Sequence, residues 1–516
     1  ILTEANPWWL SAVAGHDRAA WTASNRTLRD RQRYDLGYRS HILDDIAADQ
    51  PDGSLVVLTG PRRAGKTVAI LDVAAALCRG SQVDPRQVVY APCDGLSARD
   101  LRRIITLGRA LTRSVDAAGP RRRVWLFDEI SGIVGWTSAL KMARDNSDFG
   151  DDTVVATGSR WVTTEDLQGN LLAGRAGSGR GRRVRQLMPM SFRDYAAVTR
   201  PDLPLPPVVP PGQLDQRQAV AALTGLSFSL DQYDLAWQDY LTSGGFPRAV
   251  AEHQREGAVS PAYLRDLLAW LRADVDPDGP TESVPLLLAG LAVRMTSPLS
   301  VVGAAAELGY PGRRAFERRI DRLINSHAAL RCRQRDERGN LVAGALAKVY
   351  LTDPLLAWIP SLVSPGLPAP LFPALSEAVL AVTLARVVDQ HEEGRWVADD
   401  TVGYLRTGSG NEIDLGPVRL PTAAGSELTT PIESKWIRHI QGCPPPPRLR
   451  PSCRGPTCGA RTIDSGRARA VHWGCGESPC EPCDNGPSES GGLAPRHTPP
   501  RHTPHSSAIS TTSPQV

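Results

Sequence analysis

The hydrophobic positions in the N-terminal part of the chain fall in short, unbroken runs separated by longer mixed stretches. Residues 54–60, SLVVLTG, are apolar and β-branched and close on glycine, and residues 67–78, TVAILDVAAALC, follow as an apolar helix-like run. That order reads strand, loop, helix. QVVYAPC (87–93), RVWLFDE (123–129) and TVVATGS (153–159) predict further strands, alternating with helical segments such as ARDLRRIITLGRAL. Strands that are apolar throughout must be covered on both faces, so the pattern predicts an α/β fold on a parallel sheet.

Farther on the pattern changes. RPDLPLPPVVPPG continues neither helix nor sheet and reads as a semi-rigid linker over 201–212. A largely helical region is expected over 213–295, where LTSGGFPRAV carries the Gly-Gly and proline punctuation of a helix stop. Over 296–353, two helical segments flank a Tyr-Pro-Gly turn. The second sets Phe316, Ile320, Leu323 and Ile324 on one face and Arg314, Arg318, Arg319 and Arg322 mostly elsewhere. RCRQRDERGNLVAGALAKVYLTD then reads as a hairpin, completing a winged-helix outline. A helix over 375–390, LSEAVLAVTLARVVDQ, precedes the strand-like pieces GYLRT, NEIDLGPV and PIESKW.

Composition changes this picture little. The chain's 516 residues exceed what one core organises, which suggests several folded units, and a net charge of +4 over that length names no partner. No apolar run approaches the ~18 residues that cross a bilayer. The opening ILTEANPWWL does not read as a secretion signal, so a cytoplasmic protein with no membrane partner is expected, its residues 1–50 a helical segment. The chain does not begin with methionine, which fits an unusual start codon or a missing beginning. Cys78, Cys93 and Cys332 are scattered through the body, whereas Cys443, Cys453, Cys458, Cys475, Cys480 and Cys483 crowd the last part.

The strongest chemical signal is GPRRAGKT, Gly60 to Thr67, which fits G-x-x-x-x-G-K-[ST] between a predicted strand and helix. Glycines let such a loop wrap phosphate oxygens, and its N–H groups and the helix dipole favour anions. Lys66 would neutralise the β- and γ-phosphates of ATP, and Thr67 would offer its hydroxyl to Mg2+. The expected phosphate-binding set is Gly60, Pro61, Arg62, Arg63, Ala64, Gly65, Lys66, Thr67 and Val68, with Arg62 and Arg63 touching nucleotide, a neighbour or solvent. Asp128 and Glu129 end the strand RVWLFDE. A carboxylate there can hold Mg2+ through water while the next polarises the attacking water, so Asp128 is a metal candidate and Glu129 a catalytic one. Thr157, Ser159 or Arg160 ends a further strand, either sensing the γ-phosphate or merely turning the chain. LLAGRAGSGRGRRVRQL concentrates Arg175, Arg180, Arg182, Arg183 and Arg185 among glycines: a solvated loop, an arginine finger (Arg175) or a nucleic-acid contact.

With these residues in view, the chain resembles the AAA-type ATPases of bacteria and archaea that join a GPRRxGKT ATPase domain to a C-terminal domain of unknown function with a restriction-endonuclease-like core. The resemblance rests on GPRRAGKT, LFDEI, ATGS, LLAGR followed by LMPMSFRDY, YLTSGGFPRAV, KVYLTDPLL, SEAVLAVTL, NEIDL and IESK, in that order. It implies a P-loop AAA core over 51–200, a helical lid over 213–295, a winged-helix segment over 296–353 and a nuclease-like domain over 366–436. In the nuclease pattern, Glu377 on a helix, Asp414 at a strand end, and Glu433 and Lys435 in IESK occupy the places of the acids and lysine. If IESK is a strand, alternation puts Glu433 and Lys435 on one face. Two carboxylates could then hold Mg2+ while the lysine activates water, or the fold is inert.

After Trp436 the strands and helix that should complete such a sheet are absent, and residues 437–516 are a low-complexity mixture expected to be disordered. CEPC with Cys453, Cys458, His472 and Cys475 allows a zinc reading, and a shifted reading frame in GC-rich coding DNA gives the same composition. Three functions stand: a Mg2+-dependent ATPase, which can be oligomeric, moving its C-terminal module; a nucleotide-gated switch whose winged-helix arginines touch DNA or a protein; and an ATP-dependent nuclease.

Overall fold

The structure is a computed structural model that describes residues 2–10, 17–40, 42, 53–80, 83–118, 121–161, 184–209, 217–391, 401–406, 411–421, 427–434, 462–464 and 469–471. The predicted α/β core is present. Strands β1 (Leu55–Thr59), β2 (Val88–Pro92), β3 (Val124–Asp128), β4 (Thr153–Gly158) and β5 (Val184–Gln186) form one sheet in the order β2-β3-β4-β1-β5. Every pairing in it is parallel. Helices α1 (Lys66–Arg79), α2 (Ala98–Leu111) and α3 (Trp136–Asn146) connect its strands. The carboxyl ends of neighbouring β1 and β4 send the chain toward opposite edges, which is where open α/β sheets form their crevice.

The N-terminal residues close one edge of this sheet. Asn6 Nδ2 donates to the Tyr90 carbonyl at 2.8 Å while Tyr90 N donates to Asn6 Oδ1 at 2.6 Å. The indoles of Trp8 and Trp9 both donate to the Val88 carbonyl, at 3.0 and 2.9 Å. The outer backbone of β2 is thereby satisfied by side chains, as an edge strand requires.

Helix α4 (Phe192–Thr199) leads into a second body. It comprises α5 (Leu230–Ser243), α6 (Pro247–Glu256), α7 (Pro261–Val275), α8 (Ser283–Ala292), α9 (Val301–Glu307), α10 (Arg313–Asn325), α11 (Pro354–Val363) and α12 (Phe372–His391). Its second sheet orders β7 (Ala347–Leu351), β6 (Ala329–Arg335), β8 (Gly403–Arg406) and β9 (Glu412–Ile413). β6 pairs antiparallel with β7, as the hairpin pattern predicts, but β8 pairs parallel with β6 on its other side. One apolar core runs from Met188 to Leu415 through the helices and through β6, β7 and β8. The expected divisions between lid, winged helix and nuclease-like region are therefore not divisions of packing, because strand pairing and a shared core join them.

Two expectations at the end of the chain are corrected. β10 (Leu415–Pro421) pairs with β11 (Glu427–Ile432), and β11 stops at Ile432, so Glu433 lies past the strand and the alternation argument does not reach it. The Ser434 N–H turns instead to the Asp414 carboxylate, at 2.9 Å. Within 437–516, β12 (Thr462–Asp464) and β13 (Arg469–Val471) form a short antiparallel pair that meets β11 at Ile432. Main-chain pairing needs no side-chain periodicity, which is why composition gave no sign of it. The clustered cysteines, His472, Lys435 and most of that segment lie outside the described residues, as do Arg175, Arg180, Arg182 and Arg183.

Candidate functional site

The phosphate-loop candidates sit at the carboxyl end of β1. A side chain at Gly60 would run into the Leu187 carbonyl, which approaches as Leu187 N bonds the Thr59 carbonyl at 2.8 Å. The loop then passes Arg63 in left-handed backbone (φ 69°) and Gly65 before α1 begins at Lys66. Lys66 is buried, with Nζ donating to the Gly60 and Pro61 carbonyls at 3.0 and 2.9 Å and lying 3.5 Å from Glu129 Oε1. Burial pulls its pKa below the ordinary lysine value, against the opposing pull of Glu129 and Asp128.

The acidic pair faces this lysine. Asp128 is buried; its Oδ1 accepts from Thr157 Oγ1 at 2.6 Å, its Oδ2 from Tyr90 OH at 3.0 Å, and the Thr67 hydroxyl also reaches the carboxylate. Burial raises its pKa, which those three hydrogen bonds only partly offset. Thr67 and Asp128 thus offer adjacent hard oxygens, a donor set that suits Mg2+. Glu129 takes left-handed backbone at φ 58°, and its N–H donates to Thr157 Oγ1 at 2.9 Å. A single threonine hydroxyl therefore fixes both carboxylate-bearing residues.

The remaining core candidates separate. Thr157 is fully buried and turned to Asp128 and Glu129. Ser159 is buried, with its N–H on Ser131 Oγ at 3.1 Å, and Arg160 is exposed. Ala64 and Val68 line a cavity beside the loop with Asp72, Leu187 and Pro247. Arg62 and Arg63 point to α7: Arg62 lies 3.3 Å from Asp274 and Arg63 3.6 Å from Asp266. Arg185 is buried within β5 and so is not part of a solvated loop. Two of the winged-helix arginines are engaged internally. Arg319 pairs with Asp276 at 2.9 Å and Arg322 donates to the Val275 carbonyl at 3.1 Å.

Two of the nuclease-like candidates, Glu377 and Asp414, stand beside a lysine that sequence reasoning missed, together with Glu412. Lys348, on β7 and fully buried, lies 3.1 Å from Glu377, 3.0 Å from Glu412 and 3.7 Å from Asp414. Tyr350 OH donates to the same Glu377 oxygen at 2.6 Å. Burial works against the charge of Lys348, but Glu377 and Glu412 outweigh it and leave its pKa above the ordinary value. Among the described residues, no group of three His, Cys, Asp or Glu side chains is set to hold a metal ion. The signal was available in the sequence: a lone lysine inside the apolar strand AKVYL needs acid partners.

The comparisons with known proteins bear on the first site. Residues 52–196 match a family model described as an AAA domain. Similar solved structures include the Walker-type ATPase PABY2304 of Pyrococcus abyssi, 13% identical, covering 59% of this chain and 90% of that one at a TM-score of 0.35. A RuvB variant of Thermotoga maritima is 15% identical and covers 58% of this chain and 88% of that one, at a TM-score of 0.25. No curated protein matches the chain. No helix among the described residues is long and apolar enough to cross a membrane. The phosphate loop, the acidic strand end and the parallel sheet all fall inside that matched segment, residues 52–196.

Proposed function

We propose that the chain is a Mg2+-dependent ATPase whose nucleotide state acts on the C-terminal body. One observation carries this reading: Lys66 and Glu129 face each other at 3.5 Å, with Thr67 against Asp128 beside them. Lys66 would leave the Gly60 and Pro61 carbonyls for phosphate oxygens, releasing Glu129 to take a proton from an attacking water. Thr67 and Asp128 would hold the metal, and Tyr90 and Thr157 keep that carboxylate aimed. Mg2+ held there would offset the negative charge that develops on the phosphate oxygens during hydrolysis. Arg62 and Arg63, tied to Asp274 and Asp266, join the loop to α7, which supports a mechanical link to the C-terminal body. Phosphate release and nucleotide binding by the full chain and by Lys66→Ala test the reading. The variant should lose both, and unchanged binding and turnover would remove it.

The Lys348 cluster favours a structural reading of the nuclease-like region. Its ammonium already occupies the space between the carboxylates that a catalytic metal would need, and it cross-links β7, α12 and β9. We expect no Mg2+- or Mn2+-dependent cleavage of DNA. Cutting that disappears in Asp414→Ala would overturn this.

A further inference from the structure

The Asp128 carboxylate is gripped from both strands that flank β3. β2 pairs with β3 in parallel, with Pro92 opposite Asp128. Tyr90 stands two residues before Pro92, so alternation sets its side chain on the face that bears the carboxylate, and its phenol donates to Asp128 Oδ2 at 3.0 Å. From β4, on the other side, Thr157 holds Oδ1 at 2.6 Å. With one oxygen tied to each neighbour, the group cannot turn without breaking a bond. The two grips are not equally secure. β4 lies inside the sheet, paired with β3 and β1, so the ladder fixes Thr157. β2 is an edge, and Tyr90 gives both of its main-chain groups outward to Asn6, whose side chain accepts from the N–H at 2.6 Å and donates to the carbonyl at 2.8 Å. Asn6 is fully buried, and its amide also donates to the Leu2 carbonyl at 2.7 Å, which leaves the carboxamide no room to swing.

We propose that Asn6 is a positioning residue of the metal site: it fixes the main chain of Tyr90, and Tyr90 holds Asp128 in the orientation that Mg2+ needs. This deepens the nucleotide reading above and rests on it. Groups that orient a metal-bearing carboxylate govern how tightly the ion is held, because a ligand that must first be ordered binds more weakly. Covering an edge strand requires only that its outward N–H and C=O groups be occupied. Trp8 and Trp9 do that at Val88, which has no polar side chain to aim. At Tyr90, by contrast, the residue gripped on both main-chain groups is the one whose side chain touches Asp128. The N-terminal segment therefore reaches the metal site through two residues, without touching the nucleotide loop.

The test is binding of a non-hydrolysable ATP analogue to the full chain, with EDTA and with saturating Mg2+, for the parent, Tyr90→Phe, Asn6→Ala, the double variant and Trp9→Phe. The ratio of the two affinities reads the metal's contribution apart from that of the loop. Tyr90→Phe should keep the metal-free affinity and lower the ratio about tenfold, as loss of a group behind a metal ligand does. Asn6→Ala should lower it by a similar or smaller factor. The double variant should fall no further than Tyr90→Phe alone, because both changes act through one contact. Trp9→Phe loosens the same edge and should leave the ratio unchanged. Mn2+ titration of the same complexes, followed by electron paramagnetic resonance, reads metal affinity directly and should give the same order. If Asn6→Ala does not fold, Asn6→Ser takes its place under the same criteria. An unchanged ratio in Tyr90→Phe or in the Asn6 variant, additive losses in the double variant, or an equal loss in Trp9→Phe would overturn the proposal. So would a parent that binds the analogue equally with and without Mg2+. A parent that does not bind the analogue at all would instead remove the nucleotide reading itself.

Discussion

Glu129 stands in left-handed backbone immediately after β3, a conformation that costs a residue with a side chain about 1–3 kcal/mol. The geometry turns its carboxylate from the sheet toward Lys66, and the Thr157 hydroxyl holds its N–H there. Glu129→Gln keeps the shape and removes the proposed base. It should bind nucleotide as the parent does, with turnover lower by about 10²–10⁴-fold in a phosphate-release assay. Thr157→Val keeps the volume but leaves the Glu129 N–H and one Asp128 oxygen short of a partner. A loss of about 1–3 kcal/mol is expected in denaturant unfolding, and a midpoint equal to the parent's would show that the hydroxyl is not needed. At this scale the sequence was legible where chemistry is local, because GPRRAGKT and LFDEI each carry their residues within one turn or strand end. The placements of Lys348 among acids and of Tyr90 on Asp128 were not legible, since each acquires its partners from elements that only the fold brings near.

At the scale of elements, the motifs that carried the family resemblance meet at one junction. Met190 N donates to the Gly245 carbonyl at 2.8 Å, Tyr240 OH to the Met190 carbonyl at 3.0 Å, and Arg386 to the Pro189 carbonyl at 2.6 Å. Asp353, capping α11, accepts from Gly245 N at 2.8 Å and Leu355 N at 2.9 Å. A side chain at Gly244, where φ is +68°, would strike the Asp353 carboxylate, so the Gly-Gly pair read as a helix stop is also a docking surface. Burial raises the Asp353 pKa to about 6, and the two N–H bonds only partly counter it. The folded chain thus holds this proton more tightly than the unfolded one. The resulting stability is present below the ordinary value of 3.8 and is lost as pH rises through about 6, on the order of 3 kcal/mol in total. Asp353→Asn should remove that slope between pH 4 and 6 in denaturant unfolding, and an undiminished slope would assign it to other groups. By contrast, Arg62 and Arg63 are about half exposed, and their pairs with α7 contribute alignment more than stability.

Across the whole molecule, apolar runs were enough to place β1 to β4 of the parallel sheet, because buried strands advertise themselves, whereas the edge strand β5, Val-Arg-Gln, has no apolar run and sits in the stretch read as an arginine-rich loop. The union of helical region, hairpin and later strands into one body was not legible, since β8 joins β6 across a long stretch of chain and leaves no local pattern. Ligand binding should report on the molecule as a whole. A triphosphate at about a hundred times its dissociation constant should add about 2.7 kcal/mol to unfolding free energy, an increment that Lys66→Ala abolishes. Equal gains in parent and variant would place the nucleotide elsewhere.

The arrangement of Asn6, Trp8 and Trp9 along β2 limits how copies of this chain can associate. An incoming strand would find the Tyr90 amide and the Val88 carbonyl already claimed, and would have to strip two indoles and a carboxamide from them first. Sheet-to-sheet growth across that margin is thereby blocked. Any ring or filament built from this protein has to be joined through other surfaces.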